Sequence, residues 1–322
     1  MIRNPRDRVD RKMQPRFRGL DPVIDWHETN EKMILGGGTG NAPYQWNNAM
    51  HKAIYTTDTT SLLASVTLSV GGTVGTRGIT NKVNGYFMGR GVSGGNNAAI
   101  DKYTMSTDTN AANSNSMPEA VSAGGTGGNG TIGYFSGGYT TTDIATGRKF
   151  TFSSATITNT TSANLTEARR AVAGCCASQT ATYIAGGYTT SGRTKTDKIV
   201  FATDTCSNIA SANLPAARWN GGGITNYSTI FVCLGSTNSG VSNAILKIAV
   251  STDVISTSSS TMATAKEASG AASSSSTKGF FITGWTTGYS NQGETLVMST
   301  EASSNVTGLN STTTLVAAGG MG

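Results

Sequence analysis

Histidine and cysteine are the side chains that most often bind metals or act as nucleophiles, and this chain contains few of them. The two histidines, His27 and His51, lie 24 residues apart and lack the HExxH spacing of a zinc peptidase. The cysteines include no C-x-x-C pair of the kind that zinc sites use; they are Cys175, Cys176, Cys206 and Cys233. These residues predict no metal site, and the cysteines are expected to be small, buried and reduced.

Two glycine runs, residues 36–38 and residues 124–128, have the composition of phosphate-binding loops. A phosphate loop continues into Lys-Ser/Thr at the start of a helix, and neither run does. Only 13% of the residues are charged, and no convergent set of Arg, Glu and Tyr stands out as an active site would. The sequence therefore predicts a protein that is not an enzyme and uses no cofactor.

Three cations share one position and form a first candidate binding set. Arg169, Arg218 and Lys266 each follow a leucine or methionine by four residues. If these segments are structurally equivalent, the three side chains point the same way and could form an arc of positive potential for a ligand. The alternative is that each cation is solvated and satisfies neighbouring loop carbonyl groups.

Aromatic residues form a second candidate binding set. Tyr139, Tyr188 and Trp285 each come shortly after a glycine, and the segment 39–53 adds Tyr44 and Trp46. Exposed aromatic rings can stack on the faces of sugars, so these residues predict a possible glycan site. The alternative is that they pack against a neighbouring part of the fold.

The first 32 residues differ in composition from the rest of the chain. Residues 1–20 contain seven cations against Asp7 and Asp10, which gives 7 − 2 = +5. Residues 21–32 contain four acids against Lys32, which gives 1 − 4 = −3. A basic arm therefore precedes an acidic connector. The cations of the arm are Arg3, Arg6, Arg8, Arg11, Lys12, Arg16 and Arg18.

The arm predicts attachment to a partner. No apolar run follows its arginines, so it reads as neither a secretory signal nor a membrane anchor. Phe17, Trp26 and several prolines are interleaved with the charges, which favours an extended peptide docked on a protein. Salt-dependent binding to nucleic acid is less favoured but stays open, as does a solvated tail.

The elements that must position these residues come from a repeat of about 48 residues. Short apolar segments end in Gly89, Gly137, Gly186, Gly235 and Gly284, at separations of 48, 49, 49 and 49, and Gly37 lies 52 residues before the first. A second series has separations of 49, 48, 49, 48 and 47 and comprises Leu68, Met117, Leu165, Leu214, Met262 and Leu309. Both series indicate six copies of one structural unit.

Each copy predicts four short antiparallel strands, beginning with a strand of small residues and continuing with the strand that ends in glycine. One such sheet cannot bury both of its faces, so the copies must pack around an axis as blades of a propeller. Small residues permit close approach at the axis. The predicted inner strands are residues 69–72, 121–125, 171–176, 221–224, 268–272 and 315–319.

The two ends of the repeated region predict how the ring closes. The first copy begins at its second strand, residues 33–37, without an inner strand before it. The chain ends in a strand of the inner type at residues 313–318. We therefore expect the C-terminal strand to complete the first blade. The predicted organisation is an arm and connector at 1–32 and an all-β, six-bladed propeller at 33–322.

The strands at residues 135–139 and 184–188 end in Gly-Gly-Tyr, and on these motifs residues 33–322 resemble the kelch-type propeller repeat. The Gly/Ser/Thr-rich blades preceded by an arm are similar to kelch-like propellers of tailed-bacteriophage virions, in tail nozzle or fibre parts. That resemblance implies a structural virion protein assembled in the host cytoplasm in several symmetric copies, bound to other virion proteins through residues 1–32. The alternative is a lectin-like module that binds a host surface glycan or receptor.

Overall fold

The computed structural model describes residues 32–37, 39–40, 45–46, 48–70, 75–92, 94–267, 269–273, 277–310 and 319–321. The arm residues named above, and Tyr44, lie outside these ranges. The described chain is all-β, with six four-stranded antiparallel sheets arranged as the blades of a propeller. None of its helices is long and apolar enough to span a membrane within the described ranges.

Each blade has an inner strand at the axis, then a second, a third and an outer strand. From the axis outwards, blade 1 comprises Gly319–Met321, Lys32–Gly36, Ala49–Ile54 and Thr59–Thr67. Blade 2 comprises Arg77–Thr80, Asn84–Met88, Asp101–Thr104 and Thr109–Ala112. Blade 3 comprises Gly125–Gly128, Ile132–Ser136, Gly147–Thr151 and Thr156–Asn159.

The other three blades repeat this order. Blade 4 comprises Gly174–Ala177, Ala181–Ala185, Thr196–Val200 and Thr205–Asn208. Blade 5 comprises Gly222–Thr225, Thr229–Cys233, Ala244–Ala249 and Val254–Thr261. Blade 6 comprises Gly270–Ser273, Lys278–Trp285, Tyr289–Val297 and Ala302–Asn305. Short 3-10 turns lie at Thr161–Ala163, Ala210–Ala212 and Thr307–Leu309.

The ring has two different ends. The connections between second and third strands lie at one end, which we call the loop end; three of them form small hairpins, at Thr39–Gly40 with Gln45–Trp46, Arg90–Val92 with Gly95–Asn97, and Ser236–Thr237 with Gly240–Val241. The turns between third and outer strands lie at the opposite end, which we call the turn end.

The predicted closure of the ring is confirmed. Gly319–Met321 pairs antiparallel with the second strand of blade 1, with Ile34 opposite Met321 and Gly36 opposite Gly319. The closing strand lies just beyond the predicted residues 313–318, of which none is described. The six inner strands contact one another in a closed cycle that includes this strand, so the first and last parts of the ring are joined by backbone hydrogen bonds.

The inner strands of blades 2 to 6 start later than predicted, by eight residues in blade 2, four in blade 3 and one to three in blades 4 to 6. In blade 2 the inner strand is Arg77–Thr80 rather than residues 69–72, and in blade 3 it is Gly125–Gly128 rather than residues 121–125. The segment before each inner strand is also built of small residues, and in blade 3 it has its own role: Val121 is buried, and Ser122 pairs with Tyr139 across the loop end. Composition alone cannot separate these two adjacent segments.

The repeated glycines are explained by backbone geometry. All six members of the series, from Gly37 to Gly284, have positive φ, a conformation that glycine adopts without steric cost. A Cβ atom on Gly186 would also lie 2.4 Å from the carbonyl oxygen of Arg218 in the next blade. The adjacent Gly187 N–H donates to that same oxygen at 2.8 Å. The glycine period therefore marks a recurrent contact between neighbouring blades.

Candidate functional site

At the turn end, blades are joined by a recurrent ion pair that we call the latch. An acidic residue with positive φ occupies the turn between third and outer strands, and a lysine of the preceding blade donates to it. Asp204 of blade 4 forms an ion pair with Lys149 of blade 3 at 2.8 Å. Asp253 of blade 5 forms the equivalent ion pair with Lys198 of blade 4 at 2.7 Å. A tyrosine of the preceding blade also donates to each acid, with Tyr183 Oη 2.5 Å from Asp253.

The remaining latches use the same turn position. Lys52 and Lys32 of blade 1 both donate to Asp108 of blade 2, the former at 2.6 Å. Burial alone would raise the pKa of Asp108, but hydrogen bonds from both lysines and from Tyr103 outweigh it and lower the pKa to about 2. The other two latches are Lys247 with Glu301, at 2.5 Å between blades 5 and 6, and Lys278 with Asp58, between blades 6 and 1.

The interface between blades 2 and 3 has no latch. Ala155 occupies the turn position with φ of 51°, and among the described residues Lys102 of blade 2 forms no ion pair. Aromatic packing replaces the charge, because the Tyr86 ring lies 4.6 Å from that of Phe150 and 5.8 Å from that of Phe152. Among the described residues, this interface therefore has aromatic contacts but no ion pair at the turn position, whereas the other five have the ion pair.

The three cations of the first candidate set lie inside the blades. Arg169 and Lys266 are fully buried, and Arg218 is 5% exposed. Arg169 pairs with Asp197 at 3.0 Å, and Lys266 pairs with Glu294 at 3.2 Å. The expected arc of positive potential at the mouth of the channel is therefore not formed, because the charges are neutralised or enclosed within their own blades.

Arg218 differs from its two equivalents because no carboxylate faces it among the described residues. Its guanidinium donates to the Ala244 carbonyl at 3.0 Å and to Ser242 Oγ at 3.1 Å. Burial lowers the pKa of Arg218. The residue that corresponds to Asp197 in blade 5 is Leu246, which explains the missing acid.

The same buried layer in blades 1 to 3 uses other residues. Blade 2 pairs Arg90 with Asp101 at 2.5 Å, with both side chains fully buried. Blade 3 reverses the polarity, with Arg148 on the third strand and Glu119 in the preceding segment. Blade 1 has the buried His51 at this position, and burial lowers its pKa to about 4. These pairs were missed in the sequence because this third-strand position is an acid in blades 2, 4 and 6, a cation in blade 3 and not an acid in blades 1 and 5.

The loop end carries a set of residues that we call the rim. In each of blades 3 to 6, the residue shortly after the repeated glycine pairs antiparallel with a residue that precedes the inner strand. Each pair exchanges two backbone hydrogen bonds of 2.8–3.0 Å, so its two side chains lie on the same face. The pairs are Ser122 with Tyr139, Arg170 with Tyr188, Trp219 with Ser236, and Glu267 with Trp285.

Rim side chains also contact one another from blade to blade. The Arg170 guanidinium lies 4.5 Å from the ring centroid of Tyr139 and 5.6 Å from that of Tyr188. The Tyr188 and Trp219 rings are 5.2 Å apart. Ser236 donates to Glu267 Oε2 at 2.6 Å. Together with the backbone pairs, these contacts make the rim a continuous run across four blades.

The rim contains three residues of the aromatic candidate set, Tyr139, Tyr188 and Trp285. All three are partly buried. Trp46 lies on the short hairpin strand Gln45–Trp46 of blade 1, and its side chain is not described. Tyr44 and the arm residues from Arg3 to Trp26 lie outside the described ranges, so their proposed roles stay predictions.

Five rim residues were missed in the sequence, Ser122 and Ser236 among them, and a signal exists for the other three. Arg170, Trp219 and Glu267 directly follow the predicted cations Arg169, Arg218 and Lys266 and therefore share their period. The side-chain type at this position differs from blade to blade although the backbone pairing is the same, so the sequence shows no repeated residue there.

The described residues include no cluster of His, Cys, Asp and Glu that could hold a metal ion. Cys206 and Cys233 are free thiols, and burial raises the pKa of Cys206 to about 12. A thiol in this state is a weak nucleophile at neutral pH. The side chains of Cys175 and Cys176 are not described.

The chain matches no protein-family model and no curated protein sequence. Three features of the chain bear on its function: the latched ring, the rim and the charged arm.

Proposed function

We propose that the protein is a non-enzymatic structural protein of a virion, a propeller ring that is attached to the particle through residues 1–32. The observation that carries the proposal is the pairing of charges inside the ring. Most lysines and arginines of the described residues form ion pairs within or between blades. A further concentration of positive charge lies in residues 1–20, which are outside the described ranges and have a net charge of 7 − 2 = +5.

A ring whose blades are joined by ion pairs and closed by a strand is suited to be a rigid component of a larger particle. Latches join five of the six blade interfaces among the described residues, and a C-terminal strand closes the circle. The resemblance to kelch-like propellers of tailed bacteriophages supports placing the ring in a tail nozzle or fibre, assembled in the host cytoplasm in several symmetric copies. In this proposal the arm docks as an extended basic peptide on another virion protein.

Deletion of residues 1–31 tests the attachment. The truncated and full-length proteins are compared for incorporation into particles that lack the endogenous copy, after both have been shown to unfold at the same temperature. The proposal predicts that only the full-length protein co-sediments with particles. A second variant, with Arg3, Arg6, Arg8 and Arg11 replaced by Gln, retains the length of the arm and should reduce incorporation as well. Normal incorporation of the truncated protein would refute the proposal.

A second candidate function, a glycan- or receptor-binding module, is favoured by the rim. Partly exposed aromatic rings held at fixed positions on one end of a propeller are a common basis for ligand binding. The two functions are compatible, because the arm and the rim involve different residues.

A further inference from the structure

We infer that the rim is a binding site for a neutral oligosaccharide that lies across blades 3 to 6. The inference rests on the second candidate function and assigns it a site and a ligand class. Three properties of the rim carry it: a run of planar side chains, a local balance of charge, and a carboxylate whose second oxygen has no partner among the described residues.

The planar side chains form the apolar part of the site. Tyr139, Arg170, Tyr188 and Trp219 follow one another with separations of 4.5–5.6 Å between ring centroids and the guanidinium carbon. Each is partly exposed. The C–H faces of pyranose rings pack on such planar groups, as other apolar faces do. Because the run extends over several blades, it matches a chain of sugar units better than a single unit.

The charges of the neighbouring loops cancel, which disfavours a charged ligand. Arg170 pairs with Asp143 at 2.9 Å, and Arg193 pairs with Glu167 at 2.6 Å. Lys195 also approaches Glu167, at 3.5 Å. With Glu267 included, these loops carry three cations and three acids, or 3 − 3 = 0. An acidic polysaccharide would find no excess positive potential here.

Glu267 supplies the polar part of the site. Its Oε2 atom accepts hydrogen bonds from Asn220 at 3.0 Å and from Ser236 at 2.6 Å, which fixes the orientation of the carboxylate. Its Oε1 atom accepts no hydrogen bond, and no cation pairs with it, among the described residues. A fixed carboxylate oxygen is a strong acceptor for hydroxyl groups and repels anions. Trp285 is paired with Glu267, and the two side chains lie on the same face. The indole ring, which can stack on a sugar, is therefore next to the carboxylate, which can accept hydrogen bonds.

The rim is held by the backbone, so a ligand would not need to order it. Each of its four pairs is joined by two backbone hydrogen bonds, and in each of these blades the two residues just before the rim residue of the second strand both have positive φ. A preformed site avoids the entropic cost of ordering loops on binding. Weak, polar ligands such as neutral sugars gain most from a preformed site of this kind.

The test is direct binding of defined oligosaccharides to the full-length protein. The neutral probes are maltohexaose, cellohexaose, mannohexaose and N-acetylchitohexaose, and the acidic probe is hexagalacturonate. Saturation-transfer NMR detects binding, and isothermal titration measures affinity. We expect at least one neutral hexasaccharide to bind. Trp285→Ala should weaken that binding by about tenfold or more, and Trp285→Phe should restore most of it. Glu267→Gln should weaken binding severalfold.

A matched control lies at the other end of the ring. Tyr227 is a partly exposed aromatic residue at the turn end, with φ of 68°, and Asn tolerates this conformation. Tyr227→Asn should leave binding unchanged. All variants are first shown to unfold within a few degrees of the original protein, and Trp285→Phe keeps the test decisive if Trp285→Ala does not fold.

Three outcomes would overturn the inference, and they differ in what else they affect. Binding of hexagalacturonate alone would contradict the neutral class but keep a glycan-binding function. Binding of a neutral probe that survives both Trp285→Ala and Glu267→Gln would place the site elsewhere on the ring. Absence of binding by every probe would contradict both the inference and the second candidate function. None of these outcomes affects the structural role, which particle incorporation measures separately.

Discussion

At the scale of single residues, the molecule shows what the same side chain does with and without a partner. Arg169 and Arg218 occupy equivalent buried positions in neighbouring blades. Arg169 faces the fully buried Asp197 at 3.0 Å, whereas Arg218 donates only to a hydroxyl and a carbonyl group. Removing one member of a buried ion pair leaves the other charge uncompensated, which costs far more than removing a lone cation.

This contrast predicts different effects for one substitution at two sites. Arg169→Met should lower the free energy of unfolding by about 3–5 kcal/mol, because Asp197 stays buried without its cation. Arg218→Met should cost about 1–2 kcal/mol at most, since only two neutral acceptors lose a donor. Urea unfolding of both variants measures the difference. Equal losses at the two sites would contradict the account of this buried layer.

His51 predicts a dependence of stability on pH. Burial lowers its pKa in the folded protein to about 4, from an ordinary value of 6.5. The unfolded chain therefore takes up a proton first, and stability falls as the pH decreases from 6.5 towards 4, by a total on the order of 3 kcal/mol. Asp108 contributes mainly below this window, because its pKa is lowered to about 2.

The measurement is the free energy of unfolding in urea between pH 7 and pH 4.5. His51→Gln should abolish most of the slope in this range, while Asp108→Asn should lower stability at neutral pH and leave the slope in place. A slope that is unchanged by His51→Gln would show that another group titrates.

At the scale of elements, the turn between third and outer strands has two structural roles. Its positive φ shapes the blade, and its acidic residue joins the blade to its neighbour. Blade 3 keeps the first role and lacks the second, because Ala155 replaces the acid. The lysine that would complete this latch, Lys102, is already present on the third strand of blade 2.

Ala155→Asp is therefore predicted to create a sixth latch. An aspartate tolerates the φ of 51° better than alanine does, and it would face Lys102 and the Tyr86 hydroxyl as Asp204 faces Lys149 and Tyr134. Ala155→Asn supplies the same backbone benefit without the charge. We expect the aspartate variant to exceed the asparagine variant by about 0.5–1 kcal/mol in thermal unfolding at low salt.

The salt dependence separates the two contributions. In 1 M NaCl the difference between the two variants should largely disappear, because a partly exposed ion pair is screened. Equal stability of the two variants at low salt would contradict the latch as a source of cohesion between blades.

How far the sequence predicts this structure depends on the kind of feature. The six blades were predictable because each second strand runs into a turn of positive φ that contains a glycine, and this recurrence leaves a period of about 48 residues. The inner strands of blades 2 and 3 were misplaced because two adjacent segments are both made of small residues. The burial of Arg169 was not predictable, because its partner Asp197 lies on a different strand and the charge order reverses in blade 3.

At the scale of the whole molecule, closure makes the ring one unit. The strand Gly319–Met321 belongs to blade 1 although it is separated from the rest of that blade by the other five. Each blade buries its faces only against its neighbours, so an open ring would expose the faces of two blades at once.

Deletion of residues 312–322 should therefore lower stability out of proportion to its length. We expect a drop of many degrees in the melting temperature, together with a loss of cooperativity, measured by calorimetry. Deletion of residues 1–31 provides the matched control, because the arm should not contribute to closure. An unchanged melting temperature after the C-terminal deletion would contradict the closed ring.

The measurement that tests the central claim most directly compares full-length protein with protein lacking residues 1–31, each expressed alone, by mass and by nucleic-acid content across a salt series. The account predicts that both are folded monomers, equally stable and without nucleic acid at every salt concentration, so that the ring is self-sufficient and the arm serves a protein partner. If the full-length protein instead co-purifies with nucleic acid and releases it with salt, while the truncated protein does not, the arm is a nucleic-acid tether and the proposed attachment to a virion protein is contradicted.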